Sequence, residues 1–222
     1  MNIEKNIIQF IKGDGKSGGR NPKERYASFD YCYNHFQTFR EKGEIEKIAD
    51  KDNMQTSCLH LSFYLASWGM LRGSSFMLEK SIKYYEPLIS NIAKFDKRIW
   101  DIDVDNYIEE NIELLLKCRD MIYKSLGNGS RLTDTLTTKI MLGVFSNVPA
   151  YDDFFRKGFK VHSFGKKSLR MMAKFYEENK KIIDKYKIHT FDFSTGKETH
   201  RKYNKAKIID MIGFVEGQNK GR

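Results

Sequence analysis

The sequence is poor in proline, in cysteine and in long apolar runs. Its 222 residues include only three prolines and three cysteines. The cysteines (Cys32, Cys58 and Cys118) lie far apart in apolar helical patterns, so we expect buried, reduced thiols and a cytoplasmic protein. No apolar run approaches the roughly 18 residues of a membrane-spanning helix, and no signal-peptide pattern is present. The sequence therefore predicts a protein that neither crosses a membrane nor is secreted.

Basic residues are present in clear excess. The chain has 39 lysines and arginines against 29 aspartates and glutamates, which gives a formal net charge of +10. Because acidic residues are also plentiful, this composition indicates a folded basic domain rather than a basic tail. Such a balance favours a polyanionic partner, and it favours nucleic acid over a membrane surface.

Apolar residues recur mostly at helical spacing, and the only strand signal, over residues 188–197, predicts a small hairpin or an extended arm. We therefore predict an all-α fold: one compact multi-helix domain over residues 1–222, with possible lobes 1–103 and 104–222 around a cleft. The predicted helices cover residues 2–12, 22–40, 44–50, 58–70, 76–95, 106–126, 136–145, a helix that begins at 152–153, 166–186 and 203–215.

Three residues are predicted to shape the helix ends. Pro22 suits the first turn of the second helix, and Pro87 should kink or interrupt the helix over 76–95. Asp105 is expected to cap the long helix that follows it. The helix over 58–70 is apolar on most sides, so it is expected to be the central buried helix.

The stretch from Leu132 to Phe155 contains the most informative pattern. A short apolar helix with Lys139 near its start is followed by a turn at residues 146–149, and Asp152 opens the next helix. A carboxylate is favoured at a helix N-terminus by the unpaired N–H groups and the helix dipole. An amine in apolar surroundings is a candidate nucleophile. Together these residues indicate a catalytic pair.

Thr138-Lys139, Val148-Pro149 and Asp152 follow one another in an order that resembles the helix-hairpin-helix superfamily of DNA glycosylases. The likeness is closest to the 8-oxoguanine and archaeal-type branches, in which a Thr-Lys pair, an apolar helix, a Val-Pro turn and an essential Asp succeed one another. Two features depart from that pattern. The hairpin at residues 132–136 lacks the family's glycines, and the interval from Lys139 to Asp152 is thirteen residues, shorter than usual.

The resemblance implies a DNA glycosylase that flips a damaged or modified base out of duplex DNA and excises it. Asp152 would stabilise the positively charged sugar or activate the nucleophile. Lys139 would attack the sugar carbon, giving lyase activity, if it faces the same cleft; the short interval favours an enzyme without it. No metal and no organic cofactor are implied, and a monomer is expected. A bulky base of phage DNA would make the protein a defence enzyme.

The base pocket is predicted between two aromatic-rich helices. Its walls are expected to be Trp68, Tyr64, Phe29, Tyr31 and His60, because a flipped base needs flat apolar surfaces. His60 also fits an ordinary core histidine. The small residues Gly69, Gly73, Ser74 and Ser75 are expected to leave room for a base substituent larger than an oxo group.

A basic cluster follows Asp152 and is predicted to contact DNA phosphates. Two other functions fit the same segment. The first is a non-catalytic DNA- or RNA-binding domain in which Asp152 is only a helix cap. The second is a ribonuclease of the HEPN class, which would use an Arg-x5-His spacing at Arg156 and His162. The residues predicted to bind DNA are Arg156, Lys157, Lys160, Lys166, Lys167 and Arg170.

Overall fold

The computed structural model describes residues 1–14, 18–73, 75–127 and 132–221. Helices make up most of this part of the chain, so the predicted all-α class is confirmed. The helices are α1 (Ile3–Lys12), α2 (Ala27–Glu41), α3 (Lys51–Ser67), α4 (Glu86–Lys94), α5 (Glu109–Leu126), α6 (Asp134–Phe145), α7 (Asp153–Phe159), α8 (Lys166–Ile183) and α9 (Lys205–Lys220), and the strands are β1 (His189–Phe191) and β2 (Glu198–Lys202).

Several predicted helix ends are corrected. Pro22 lies before α2, where its carbonyl oxygen accepts a hydrogen bond from the Tyr31 hydroxyl. The predicted helix over 76–95 is two short 3-10 turns followed by α4, and Pro87 occupies the first turn of α4, where its missing N–H costs nothing. Asp105 does not cap α5. Asp103 caps a short 3-10 turn there, and its carboxylate also accepts the N–H of Ala206 at the start of α9.

The centre of the core is α6 and not, as predicted, the helix over 58–70. Every residue of α6 from Leu136 to Phe145 is buried. In α3, by contrast, Leu59 and Phe63 are exposed, because only one face of this helix packs against α2 and α6. The buried apolar side chains form one cluster from Ile3 to Val215, and all three cysteines are buried and free within it.

Helix α7 packs against α9 at very short distance. A Cβ atom on Gly158 of α7 would lie 2.2 Å from the carbonyl oxygen of Gly213 in α9. Since only glycine permits this approach, the two helices are fixed closely side by side. The contact places the C-terminal end of α7 next to the middle of α9, while Phe154 in the first turn of α7 lies against Gly217, towards the end of α9.

Strands β1 and β2 pair as a small antiparallel hairpin, one of the two forms predicted for this segment, and β2 begins just after the predicted range of 188–197. Arg20 attaches this hairpin to α2. Its guanidinium forms a buried ion pair with Asp30 at 2.8 Å and lies 3.7 Å from the ring centre of Phe191. Phe193 follows β1 and is strongly exposed. Within the described residues, no helix is both long and apolar enough to span a membrane.

Candidate active site

Lys139 and Asp152 form an ion pair at the edge of a pocket. The Nζ of Lys139 lies 3.0 Å from Oδ2 of Asp152, and the lysine side chain is only 3 % exposed. Asp152 is the N-cap of α7, where its Oδ1 accepts the N–H of Phe155 at 3.0 Å. The predicted helix start at this aspartate is therefore confirmed. The thirteen-residue interval does not separate the two side chains, since the chain turns back after α6.

Hydrogen bonds from two sides hold the segment that leads into Asp152. The hydroxyl of Thr138, in α6, accepts the N–H of Tyr151 at 2.8 Å. The carboxylate of Asp210, in α9, accepts the N–H of Ala150 at 3.0 Å. Two successive backbone amides are thus fixed by different helices. The Thr138-Lys139 pair has two tasks here: the threonine anchors the turn and the lysine contacts the carboxylate.

A second buried lysine–aspartate pair lies behind the first. The Nζ of Lys207 is 2.8 Å from Oδ2 of Asp210, and the lysine side chain is 2 % exposed. Its nitrogen lies 5.6 Å from the ring centre of Trp68, and that of Lys139 lies 5.0 Å from the same ring. Two lysine nitrogens therefore lie within cation–π distance of one indole.

The second pair was missed in the sequence, although a signal exists. Lys207 and Asp210 are three residues apart inside the otherwise apolar stretch of α9 over 206–215. Charged residues at this spacing lie on one face of a helix. A charged pair within a run that is apolar on all sides indicates a buried polar site.

The pocket beside the ion pair has a volume of about 390 Å³. Three of its thirteen lining residues are aromatic: Trp68 meets Phe214 edge-on at 5.6 Å between ring centres, and Phe154 meets Phe214 edge-on at 5.3 Å. The indole N–H of Trp68 is buried and has no hydrogen-bond partner among the described residues. The other residues that line the pocket are Arg25, Ala66, Ser67, Gly69, Met70, Arg72, Thr135, Lys139, Asp152 and Asp153.

Arg25 and Arg72 lie exposed at the mouth of this pocket and were not predicted. Within the described part of the chain, neither arginine has a carboxylate within 4.0 Å, the limit for an ion pair. The guanidinium of Arg25 lies 5.3 Å from the ring centre of Trp68. These two cations give the mouth of the pocket a positive charge, which the exposed Asp153 offsets only in part.

The predicted base pocket is divided in the structure. Trp68 lines the pocket of Lys139 and Asp152, but Tyr64 and Phe29 lie in the hydrophobic core and line no part of it. Tyr64 packs so closely on Gly143 that a Cβ there would lie 2.5 Å from its ring. The sequence predicts these two rings in the pocket wall because α2 and α3 each carry more aromatic residues than one buried helix face needs. In the structure the additional aromatic side chains are buried in the core as well.

Tyr31 and His60 line a separate groove that adjoins the pocket. The space expected beside Gly69 is taken by the guanidinium of Arg72, whose Nε would lie 2.9 Å from a Cβ on that glycine. Gly73 has no neighbour of this kind within 4 Å, and Ser74 lies outside the described residues. Room for a large base substituent is therefore not provided by Gly69.

The predicted basic cluster is partly neutralised. Lys166 pairs with Glu109 at 3.1 Å and also with Glu113, and Arg170 pairs with Glu109 at 2.6 Å. These carboxylates belong to α5, which comes from an earlier part of the chain, so the sequence around α8 gave no sign of them. The cluster residues that are exposed and form no ion pair within the described residues are Lys157, Lys160 and Lys167.

Arg156 and His162 do not share a pocket. His162 lines a basic pocket of about 320 Å³ with Lys160 and Lys167 at the start of α8, and Arg156 is not among the described residues around it. The Nε of Arg156 is buried without a hydrogen-bond partner in the described part of the chain. Within the described residues, Arg156 therefore does not belong to the pocket that His162 lines.

No family model matches this chain, and neither a curated protein nor a solved structure matches it. The chemistry of the site is therefore argued from its geometry. An amine and a carboxylate 3.0 Å apart can exchange a proton, and the amine that results is a nucleophile. A carboxylate at the same place stabilises positive charge that develops on a bound molecule. The arrangement suits a reaction at an electron-poor carbon.

Proposed function

We propose that the protein is a DNA N-glycosylase with lyase activity that removes a damaged or modified base. The observation that carries this proposal is the contact of Lys139 with Asp152 at the edge of an aromatic-walled pocket with arginines at its mouth. The resemblance of the Thr138-Lys139, Val148-Pro149 and Asp152 pattern to helix-hairpin-helix glycosylases supports it. The net charge of +10 suits a DNA partner.

The pocket is suited to a base that has left the stack. Its aromatic side chains, Trp68, Phe154 and Phe214, offer flat apolar surfaces for a flipped base. Arg25 and Arg72, on the rim, are free to contact the phosphates on either side of the flipped nucleotide, which fixes its position without reading its sequence. The sugar carbon that bears the base would then face Lys139 and Asp152.

The neighbouring amine and carboxylate suit a reaction in which the lysine becomes bonded to the sugar. Asp152 accepts a proton from the Lys139 ammonium group, and the neutral amine attacks the sugar carbon while the bond to the base breaks. The base leaves with the bonding electron pair and takes up the proton that Asp152 accepted, so the carboxylate regains its charge and stabilises the cationic adduct. The adduct opens to an imine as a proton on its nitrogen moves to the ring oxygen, which becomes a hydroxyl. Loss of a C2′ proton to Asp152 then expels the 3′-phosphate and cleaves the strand, and water releases the lysine.

A non-catalytic nucleic-acid-binding domain is the main alternative. The same two arginines and the exposed Lys157, Lys160 and Lys167 would then bind phosphates, and Asp152 would only cap α7. Such a domain has no need of a buried lysine against the capping carboxylate. Unlike Lys207 of the second buried pair, Lys139 lines the pocket, so the cost of desolvating its amine supports a chemical role.

The experiment is an excision assay on DNA duplexes, each with one damaged or modified base, in which strand breaks are counted with and without added alkali. Asp152→Asn should lower excision by about 100-fold or more, because it removes the charge and keeps the shape and the helix cap. Asp153→Asn is the matched control: its carboxylate is exposed and should be dispensable. Equal activity of the Asp152→Asn protein and the wild type would exclude the proposed role of Asp152. Loss of excision in the Asp153→Asn protein alone would assign that role to Asp153.

A further inference from the structure

A second concavity, here called the aromatic groove, adjoins the candidate active site. Its volume is about 600 Å³, and Arg25 and Ser67 line both it and the pocket of Lys139 and Asp152. Its walls come from the segment over 22–25, from α2, from α3 and from the hairpin. The aromatic residues of the groove are Tyr31, His60, Phe63 and Phe193.

The rings of this groove are unusually exposed. Phe63 is 67 % exposed and Phe193 is 78 % exposed, the highest values among the large apolar residues of the described chain. Phe193 stands edge-on to Tyr31 with 5.2 Å between ring centres, and Tyr31 is held in place by its hydrogen bond to the Pro22 carbonyl. Exposed rings that line one groove in this way indicate a binding surface, because exposed apolar side chains gathered at one place are more often functional than scattered ones.

The charge beside the rings indicates the kind of partner. Lys23 and Arg25 border the groove, and neither has a carboxylate within 4.0 Å in the described part of the chain. Glu24 also borders it, but it stands between two cations in the sequence. Flat rings next to uncompensated cations match a nucleobase joined to its phosphate, since bases stack on aromatic side chains while basic groups follow the backbone.

We propose that the aromatic groove binds the base next to the target base on the same strand, unpaired and stacked on Phe63 and Phe193. This inference rests on the proposed function, since it takes the neighbouring pocket as the site of the target nucleotide. Arg25 borders both cavities and is placed to contact the phosphate between the two nucleotides. The substrate strand is therefore unpaired over at least two nucleotides, as in single-stranded or locally opened DNA.

The test is a binding measurement with unmodified DNA, by fluorescence anisotropy. The probes are a dye-labelled single strand, the same sequence as a full duplex, and a duplex with a bubble of two mismatched base pairs. Phe63→Ala and Phe193→Ala should each weaken binding to the single strand and to the bubble by about tenfold, since one base–aromatic stack is lost. Binding to the full duplex should change little. Both residues are largely exposed, so folding should survive.

Phe76→Ala is the matched control. Phe76 is an exposed phenylalanine outside the groove, and its removal should leave affinity for all three probes unchanged. A further probe is a single strand of the same length that has abasic sugars in place of its bases, to which wild type and groove variants should bind equally.

Four results would overturn the inference. They are unchanged single-strand affinity in both groove variants, an equal loss on the abasic strand, tighter binding of wild type to the full duplex than to the bubble, and no binding to any DNA. The proposed function can fail separately. If the groove variants lose affinity as expected but no modified base is excised, base binding in the groove is supported and the glycosylase activity is refuted. If excision occurs and the groove variants bind all probes normally, only the groove is refuted.

Discussion

The amine of Lys139 lies 3.0 Å from the carboxylate of Asp152, and the two residues reach this contact from the second turn of α6 and the N-cap of α7. One carboxylate oxygen caps the helix and the other faces the lysine. Burying an amine is costly unless it is paired, and a buried pair rarely stabilises a fold more than apolar residues would. Stability alone therefore does not account for the pair, and the proposed reaction would give the buried amine a use.

Lys139 should form a covalent bond to the sugar during turnover. Reduction with borohydride in the presence of a cleavable duplex is expected to trap a protein–DNA adduct, because an imine between lysine and sugar is reduced to a stable amine. Peptide mapping should place the adduct on Lys139. The control residue is Lys207, whose nitrogen lies near the same indole but pairs with Asp210.

A Lys139→Gln protein should give no adduct, and a Lys207→Gln protein should still give one. If wild type forms no adduct and its strand breaks appear only after alkali treatment, Asp152 acts on water and the enzyme is monofunctional. An adduct on Lys207 would identify Lys207, and not Lys139, as the nucleophile.

Asp210 should act as a positioning residue. It accepts the N–H of Ala150, two residues before Asp152, and so fixes the turn that carries the carboxylate. Asp210→Ala is expected to lower kcat by about 100-fold with little change in KM, the size of effect that a displacement of about 1 Å produces. Asp210→Asn should recover part of the loss, because the amide oxygen accepts the same hydrogen bond. Melting temperatures measured alongside separate misplacement from unfolding.

Lys207→Met supplies the comparison for Asp210. It removes the buried amine and leaves the contact of Asp210 with Ala150 intact, so kcat should stay near that of wild type. An equal loss of kcat in Lys207→Met would show that the pair as a whole matters and not the hydrogen bond to the turn.

Local signals in the sequence predicted α6, the helix start at Asp152 and the hairpin over β1 and β2. These elements depend on residues close together in the chain: an apolar run, a capping carboxylate and a pair of short strands. What the sequence could not show were pairings over long distance. The carboxylates that neutralise Lys166 lie more than fifty residues earlier, on α5.

In the candidate site too, residues within one segment were predictable from the sequence and residues from distant segments were not. Lys139 and Asp152 were predicted from the pattern of one segment. Arg25 and Asp210 belong to the same site, but they come from opposite ends of the chain, Arg25 from the segment just before α2 and Asp210 from α9. Tyr64 was placed in the pocket because aromatic content alone does not tell which face of a helix is buried. Its contact with Gly143 of α6 decides that question.

DNA affinity should depend on salt chiefly through the arginines at the pocket mouth. Each phosphate contact contributes about 0.9 to the slope of log affinity against log salt concentration on duplex DNA. Arg25→Gln and Arg72→Gln should each make that slope shallower by about this amount. Lys166→Gln should change it less, since Glu109 and Glu113 already neutralise Lys166. Anisotropy titrations over a range of salt concentrations measure all three slopes. A larger change of the slope for Lys166→Gln would show that the phosphate-binding surface lies at α8 instead.

Stability should fall in acid because of a stacked histidine pair between α2 and α3. The rings of His35 and His60 lie 4.4 Å apart and nearly parallel, and Nε2 of His35 lies 2.9 Å from the Ser57 hydroxyl. Burial, and to a lesser extent the neighbouring His60, lower the pKa of His35 to about 3. Burial also lowers the pKa of His60. Both rings are therefore neutral in the folded protein at neutral pH.

The direction of the effect follows from proton linkage. The unfolded chain binds a proton at His35 below a pH of about 6.5, whereas the folded protein does not until the pH approaches 3. The contribution of neutral His35 to the free energy of unfolding is thus complete above pH 6.5 and is lost as the pH falls towards 3. His35→Gln cannot titrate and should flatten this part of the curve of unfolding free energy against pH, measured by urea denaturation. His162→Gln, the same change at an exposed histidine, is the comparison variant. If wild type and His35→Gln lose stability in parallel between pH 6.5 and 4, carboxylate protonation and not the histidine pair governs the acid transition.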